Sequence, residues 1–218
     1  DGFNKCMERQ RELARSSRNA AESMHNQSQD LLDFEDEFTF TGYEKNVDTA
    51  KVVAFFKDGV RVNEIEELCD VVFTNSCFYA ESGGQIADIG YVFNDHFKAE
   101  VLDVKKAPHG QFLHRVRVLN GTLNIEDEVT LEIDVERRQK IRANHSSLHL
   151  LQSALIKVLG NHIQQAGSYV SDEYARFDFT HFEKTSNENL KKIENTVNDF
   201  VMAELPVITQ VLDIEEAK

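Results

Sequence analysis

The chain has 218 residues, and 24 Lys and Arg against 38 Asp and Glu give it a formal net charge of −14 at pH 7. This acidic balance argues against a general nucleic-acid binder, because phosphate binding depends on a cationic surface. A hydrophobic content of 41% supports a packed core, no apolar stretch reaches membrane length, and three scattered cysteines without a C-x-x-C pair favour a cytoplasmic setting.

Residues 1–37 are predicted to form a linking helix. Over residues 1 to about 30, helix-forming residues dominate and apolar ones are sparse, as in Met7-Glu8-Arg9-Gln10-Arg11. We expect such a helix to lean on, or connect to, another domain. Because the first residue is Asp1 rather than Met, we also expect the chain to be a piece of a longer protein.

Residues 38–134 contain short β-like runs separated by turn signals. β-Branched and aromatic residues are frequent, and Asp58-Gly59 and Asn120-Gly121 are typical turn sequences. Many short strands at close spacing predict a small β-barrel or sandwich. The predicted strands cover residues 51–56, 71–73, 91–93, 97–102, 112–118 and 129–133.

At residue 135 the apolar period becomes helical, which predicts a different module over residues 135–218. Asp134 is the predicted N-cap of a helix that runs to about residue 165 and stops near Gly167. A strand pair is predicted to follow, around residues 168–170 and 175–179.

The last part of this module is predicted to be a helix and a strand. Thr185-Ser186-Asn187-Glu188 fits a capping box for a helix that ends before Pro206, and a closing strand is predicted from Val207 to Ile214. The expected fold class is therefore α+β: an N-terminal helix, a small β-barrel and a two-layer α+β module.

Two histidines four residues apart, His145 and His149, are the most informative feature of the chain. On a helix they project about 40° apart, so they can hold one metal ion or one substrate group. Zinc takes three or four protein ligands, so the pair alone does not make a zinc site. Arg142 belongs to a basic run just before the pair, and we expect it to face phosphate; a solvated helix face is the alternative.

A second motif, Phe78-Tyr79-Ala80-Glu81-Ser82-Gly83-Gly84-Gln85, contains paired glycines. Glycines let the backbone approach a neighbour closely or take a positive φ, and Gln85 can both donate and accept hydrogen bonds. A Gly-Gly pair alone is usually a turn. Neither G-x-G-x-x-G nor G-x-x-x-x-G-K occurs, so no nucleotide cradle is predicted.

Together these segments resemble the bacterial alanyl-tRNA synthetase family. The matching pieces occur in the family's order and span nearly the whole chain. They are Gly2-Phe3, Met7-Glu8-Arg9-Gln10-Arg11, Ala14-Arg15, the residue 78–85 motif, Arg137-Arg138, Asn144-His145 with His149-Leu150-Leu151, Val158-Leu159-Gly160 with His162 and Gln165, Arg176-Phe177-Asp178-Phe179 with His181, and Glu215-Glu216-Ala217.

The resemblance implies a piece of a class II aminoacyl-tRNA synthetase that lies after the catalytic and tRNA-recognition modules. It covers the editing domain, whose α+β module is shared with threonyl-tRNA synthetases. The family's editing site hydrolyses serine or glycine wrongly attached to the alanine tRNA, since binding alone discriminates weakly among such small side chains. The aminoacylation site, with ATP and magnesium, is expected outside this chain. The implied partners are the 3′ end of tRNA(Ala) and other domains of the same synthetase.

The resemblance also implies that His145 and His149 are zinc ligands. In the family a later Cys-Gly-Gly-Thr-His motif supplies the other two ligands, and the sequence stops at Lys218 before any such motif. We therefore expect this piece to bind zinc weakly or not at all. Leu148 stands where the family usually has threonine, which is expected to alter serine discrimination unless Ser147 substitutes.

The remaining site predictions concern Gln165 and the segment 81–85. Gln165 matches a family glutamine near the substrate, and its alternative is a solvated residue at a helix end. Gly83, Gly84 and Gln85 are expected to border the substrate cleft, with backbone N–H groups of the glycine turn stabilising an oxyanion. Glu81 is expected to orient a water, or else to serve packing or a turn.

Two other readings stay open. A free-standing alanyl-tRNA editing protein would share the barrel and the histidine pair, but such proteins lack the Met7–Arg11 helix. A catalytically silent spacer module is the second alternative, favoured by the missing cysteine motif and the acidic charge.

Overall fold

The computed structural model describes Met7, residues 28–206, 208 and 210, and residues 212–216. The polar helix predicted over residues 1 to about 30 therefore lies almost entirely outside the described residues. The chain divides into two compact units, Asp1–Ser82 with Ala87–Val135, and Gly83–Ile86 with Glu136–Lys218. The module boundaries at 37/38 and 134/135 stay predictions.

The first unit is a closed β-barrel. Six strands pair antiparallel in the cyclic order β2-β4-β8-β7-β6-β9, and the circle closes because β9 pairs back onto the first half of β2. The short β3 pairs with the second half of β2. The unit's elements are α1 (Gln29–Leu32), β1 (Thr39–Phe40), β2 (Val47–Lys57), β3 (Val60–Val62), β4 (Leu68–Phe73), β5 (Asn75–Ser76), β6 (Gly90–Phe93), β7 (Lys98–Lys106), β8 (Phe112–Asn120) and β9 (Glu128–Ile133).

Each of the six strands predicted from β-branched and aromatic runs is confirmed, and all six are longer than predicted. Along β8 and β9 the burial alternates, which is the period expected when one face of a strand lines a barrel core. The turn predicted at Asp58-Gly59 joins β2 to β3, with φ values of 49° and 85°. A barrel, rather than a sandwich, results because β2 is long enough to pair with both β4 and β9.

The barrel core is mainly apolar and encloses a fully buried histidine, His114. Phe55, Phe73 and Phe78 are fully buried in the main cluster. The His114 ring lies edge-on to Phe73 and Phe78, and both ring nitrogens have partners: Val71 O at 3.1 Å and Ser76 Oγ at 2.7 Å. Burial lowers the pKa of His114 to about 4. His114 is thus a core residue whose polar groups are satisfied by hydrogen bonds.

The second unit consists of two helices and a hairpin. Its elements are α2 (Val135–Leu159), β10 (Gln165–Val170), β11 (Ala175–Phe179) and α3 (Asn187–Met202). Leu155 of α2, Ile193 of α3 and the hairpin residues Phe177 and Phe179 share one apolar cluster. A second cluster joins Ile141, Leu148 and Val170. The helices and hairpin therefore build one α+β core.

The structure corrects three details of the second unit. The long helix ends at Leu159, where Gly160 takes a φ of +114°, rather than near Gly167. The N-cap of α3 is Ser186 and not the first residue of the predicted capping box. No strand is present at the described positions between 207 and 214, and a turn follows at residues 214–216.

No helix within the described ranges is both long enough and apolar enough to cross a membrane.

Candidate functional site

The candidate site begins with one face of α2. His145, Leu148, His149 and Gln152 follow the spacing i, i+3, i+4 and i+7, so their side chains lie on the same side of the helix. The two imidazole rings are nearly parallel, with an interplanar angle of 11° and centroids 5.2 Å apart. Leu148 is buried beside them at 7% exposure. The predicted pairing of the histidines on one helix face is present in the structure.

His145 is held by a side chain 60 residues earlier in the chain. Its Nδ1 lies 2.6 Å from Oε1 of Gln85. An amide oxygen only accepts hydrogen bonds, so Nδ1 carries the proton and donates. In the neutral ring, Nε2 then keeps its lone pair, which is the form of histidine that ligates metals.

The surroundings of His145 also favour its neutral form. Partial burial lowers the pKa of His145, and the positive charge that His149 can carry lowers it further. Both effects act in the same direction: burial removes water that would solvate the charged ring, and a charged His149 repels a second positive charge. A neutral imidazole at position 145 is therefore favoured near neutral pH.

The opposite wall of the site comes from the hairpin. In the pairing of β10 with β11, Gln165 lies opposite Phe179 and Gly167 lies opposite Asp178. Strand β10 therefore carries one extra residue, Ala166, as a bulge. The bulge brings Gln165 to the face that also carries Ser168. Gln165 Nε2 donates to Ser168 Oγ at 3.1 Å, and that hydroxyl lies 3.4 Å from Gly83 O. Gln165 had been predicted to lie at the end of a helix. That prediction is wrong, because Gln165 is the first residue of strand β10.

These two walls enclose a pocket of about 190 Å³. Pockets for drug-sized ligands measure roughly 300–1,000 Å³, so this one suits a small group such as an amino-acid side chain. Its floor is apolar and its polar groups are imidazoles, amides and one hydroxyl. The lining residues are Gly83, His145, Leu148, His149, Gln152, Gln165, Ser168, Val170 and Phe177.

Gly83 and Gly84 approach this pocket in different ways. Gly83 lines it, whereas Gly84 sits against the hairpin backbone: a Cβ at Gly84 would lie 2.4 Å from Ser168 O. The N–H of Val170 donates to Gly84 O at 2.8 Å, and the N–H of Ile86 donates to Val170 O at 3.1 Å. The glycine pair is therefore a short segment docked onto β10.

The predicted site residues divide into two groups. Gly83, His145, His149 and Gln165 line one pocket. Gln85 instead accepts a hydrogen bond from Nδ1 of His145, and Gly84 lies against the backbone of Ser168.

The other two predicted residues lie elsewhere. Arg142 is exposed on α2, outside the pocket lining. Glu81 belongs to the barrel unit, where it is exposed and its backbone N–H donates to Val104 O. Neither predicted role is tested by these positions.

Sequence reasoning missed several residues that line the pocket. Gln152 follows His145 by seven residues, so extending the helical spacing by one turn would have found it. Ser168 and Phe177 are cross-strand partners in the hairpin, and their pairing was not evident without the bulge. Ser147, suggested as a substitute hydroxyl, donates to Asn144 O at 2.7 Å and lies outside the lining.

The donor set fits part of a zinc site. Two imidazoles on one helix face, one of them with Nε2 available, are ligands that zinc accepts. Across the part of the chain that the structure describes, no group of three or more His, Cys, Asp or Glu side chains could hold a metal ion. The buried cysteines of that part, Cys69 and Cys77, both lie in the barrel unit.

Comparison with known proteins identifies the family. Residues 1–137 match the family model described as tRNA synthetases class II (A). The chain belongs to this family of class II (A) tRNA synthetases. Over its full length it is 44% identical to an alanine–tRNA ligase of Geobacillus kaustophilus, 43% identical to one of Enterococcus faecalis and 40% identical to one of Carboxydothermus hydrogenoformans.

The chain spans about a quarter of the length of these relatives: 25% of the ligases from Geobacillus kaustophilus and Enterococcus faecalis and 26% of that from Carboxydothermus hydrogenoformans. The second unit, which contains the pocket, lies almost entirely beyond the residues matched by the synthetase family model. The predicted resemblance to alanyl-tRNA synthetases is thereby confirmed.

Proposed function

We propose that this chain is the editing part of an alanine–tRNA ligase, and that its pocket takes the amino acid of a mischarged alanine tRNA for hydrolysis. The observation that carries the proposal is the convergence of His145, His149 and Gln165 on one small pocket. Similarity to three alanine–tRNA ligases over the whole chain supports the parent enzyme.

The pocket's dimensions support a small substrate group. At about 190 Å³ it suits the side chain and amino group of serine or glycine. Leu148, Val170 and Phe177 supply its apolar surface. Gln165 and Ser168, joined by a hydrogen bond, supply amide and hydroxyl groups that can orient the polar end of an aminoacyl ester.

On this proposal zinc is the cofactor, with His145 and His149 as two of its ligands. Bound zinc would supply Lewis-acid polarisation and orientation of the aminoacyl group. His145 contributes through Nε2, because Nδ1 is committed to Gln85. ATP and magnesium belong to the aminoacylation reaction of the parent enzyme and are assigned to no residue here.

The proposed partner is the 3′ end of tRNA(Ala), whose terminal ribose carries the ester to be cleaved. Leu148 has no hydrogen-bonding group to offer a serine hydroxyl, so we expect little preference between serine and glycine esters. Gln152, Gln165 and Ser168 are the polar lining residues left to contact that hydroxyl.

A deacylation assay tests the proposal. Serine-charged alanine tRNA is incubated with this chain and with a polypeptide that continues past Lys218, each as wild type and as His145→Ala, His149→Ala and Gln165→Ala. The control is His96→Ala, which alters an exposed histidine of the barrel unit. In the longer polypeptide we expect hydrolysis by the wild type and the control, and a rate near the uncatalysed one for the histidine variants.

Two outcomes would overturn this assignment. Hydrolysis that persists in both histidine variants would place the reaction elsewhere. Absence of hydrolysis in every wild-type polypeptide would favour the catalytically silent spacer module. Full activity of this chain alone would favour the free-standing editing protein.

A further inference from the structure

We propose that Gln85 is a positioning residue that fixes the tautomer of His145 and so directs the lone pair of Nε2 to the pocket. The proposal deepens the proposed function and rests on it for what that lone pair serves. Gln85 was expected to border the substrate cleft, whereas here its role is to orient the ring of His145.

The contact itself defines the direction of the hydrogen bond. Nδ1 of His145 and Oε1 of Gln85 are 2.6 Å apart, a short distance for an N–H···O bond. The carbonyl end of the amide accepts only, so the imidazole must donate from Nδ1. A neutral ring has a single N–H, and Nε2 is then left without a proton.

The backbone around Gln85 makes this contact rigid. Gln85 is 7% exposed and forms a parallel β-bridge with Val170. Hydrogen bonds from Val170 to Gly84 and from Ile86 to Val170 bracket it on both sides. Ile86 also packs against the cluster formed by Ile141, Leu148 and Val170. The amide is thus set in place before any ligand binds, which is what a positioning group requires.

Comparison with His114, which is fully buried, shows what is particular about His145. In His114 both ring nitrogens have partners, so the ring is a closed structural element. In His145 only Nδ1 has a hydrogen-bond partner among the residues that the structure describes. One orienting bond and one available nitrogen is the arrangement of a metal-ligating histidine.

Gln85 contacts His145 but does not belong to the lining of the pocket. Gly83, two residues earlier, is a lining residue, whereas Gln85 is absent from the lining. Its side-chain oxygen contacts His145 at Nδ1. Loss of the amide oxygen therefore changes the state of the ring without changing the pocket wall.

NMR spectroscopy of the ¹⁵N-labelled chain, without added metal, tests the tautomer directly. Long-range ¹H–¹⁵N spectra, recorded well above the pKa of imidazole, show which ring nitrogen of each histidine is protonated. We expect His145 of the wild type to be protonated at Nδ1, and Gln85→Leu to shift it toward the Nε2–H form. Gln85→Glu keeps an acceptor oxygen and should restore the wild-type pattern.

Gln152→Leu is the matched control, because it removes another glutamine amide from the same site without touching the Gln85 contact. Its His145 spectrum should match the wild type. A wild-type His145 protonated at Nε2 would overturn the proposal even if Gln85→Leu failed to fold. An unchanged tautomer in a folded Gln85→Leu variant would also overturn it.

Zinc titration gives a second readout. The titration uses the polypeptide that continues past Lys218. Followed through the His145 and His149 resonances, Gln85→Leu should weaken zinc binding by about 10–100-fold, and Gln85→Glu should recover it. Equal affinity in all variants would contradict the positioning role. Failure of the proposed function gives a different result. The wild-type protein would then not deacylate the tRNA, while the His145 tautomer would still change in Gln85→Leu.

Discussion

Gly83 and Gly84 have similar backbone conformations but different surroundings. Their φ values are +60° and +84°, both in the left-handed region that costs a residue with a side chain about 1–2 kcal/mol. Nothing lies within 4 Å of a Cβ added at Gly83, whereas one added at Gly84 meets the backbone of Ser168 at 2.4 Å. The second glycine is thus needed for close approach as well as for its φ.

Alanine substitutions at these two positions should therefore differ. We expect Gly83→Ala to lower the free energy of unfolding by about 1 kcal/mol, and Gly84→Ala by about 2–4 kcal/mol because the Ser168 carbonyl must also move. Urea unfolding measures both. Hydrogen exchange at the Val170 amide, which donates to Gly84 O, should accelerate only in Gly84→Ala; equal effects at the two positions would contradict this account.

The sequence predicts part of the residue-scale site and misses part of it. The i, i+4 spacing of His145 and His149 sets their common helix face, because helical geometry relates neighbours in sequence to neighbours in space. The bond from His145 to Gln85 spans 60 residues, and no local pattern encodes such a contact. The role of Gln85 could be inferred only once the fold brought the segment 83–86 to α2.

At the scale of elements, the hairpin shows how one extra residue changes a site. A regular strand would alternate its faces, so Gln165 and Ser168 would point in opposite directions. The bulge at Ala166 brings them to one face, and Gln165 then donates to Ser168. The strands themselves were predictable from their aromatic and β-branched residues, but the bulge was not, because its cause is pairing with β11.

The start of α3 gives a sharper test of element boundaries. The capping-box pattern places the cap at Thr185, whereas in the structure Ser186 Oγ accepts from the Asn189 N–H at 3.2 Å. Glu188 pairs instead with Lys192 at 2.7 Å. A motif one residue out of register is expected where several capping residues stand in a row.

Alanine at each position distinguishes the two caps. Ser186→Ala should lower the free energy of unfolding by about 1 kcal/mol, because the Asn189 N–H loses its acceptor. Thr185→Ala should stay within about 0.5 kcal/mol of the wild type. Thermal unfolding followed by circular dichroism compares them, and a larger loss in Thr185→Ala would favour the cap predicted from sequence.

At the scale of the whole molecule, the two units hold their titratable groups differently. The barrel core buries a histidine completely, with His114 at 0% exposure among aromatic rings. The second unit keeps His145 partly exposed beside a pocket and His149 exposed. The formal charge of −14 at pH 7 decreases in magnitude as carboxylates are protonated, so acid reduces the repulsion among negative charges. Acid also favours protonation of the buried His114, which destabilises the barrel core.

His114 should therefore make the barrel unit sensitive to acid. Its pKa is about 4 in the folded protein and 6.5 in an ordinary environment. The unfolded chain binds a proton at this residue first, so the stability associated with neutral His114 is fully present above pH 6.5 and is lost as pH falls toward 4. Since one pKa unit corresponds to about 1.4 kcal/mol, the loss attributable to this group is about 3 kcal/mol.

Urea unfolding at several pH values, with His114→Gln and His96→Gln beside the wild type, isolates this contribution. Glutamine can donate toward Val71 O and accept from Ser76 Oγ, the partners of the imidazole, but it does not titrate. His114→Gln should be less stable near neutral pH, because it loses the ring contacts with Phe73 and Phe78, yet lose less stability between pH 6.5 and 4. His96→Gln, at an exposed position, should leave the pH dependence of the free energy of unfolding unchanged. Equal pH dependence in the wild type and His114→Gln would show that acid acts on the barrel through other groups.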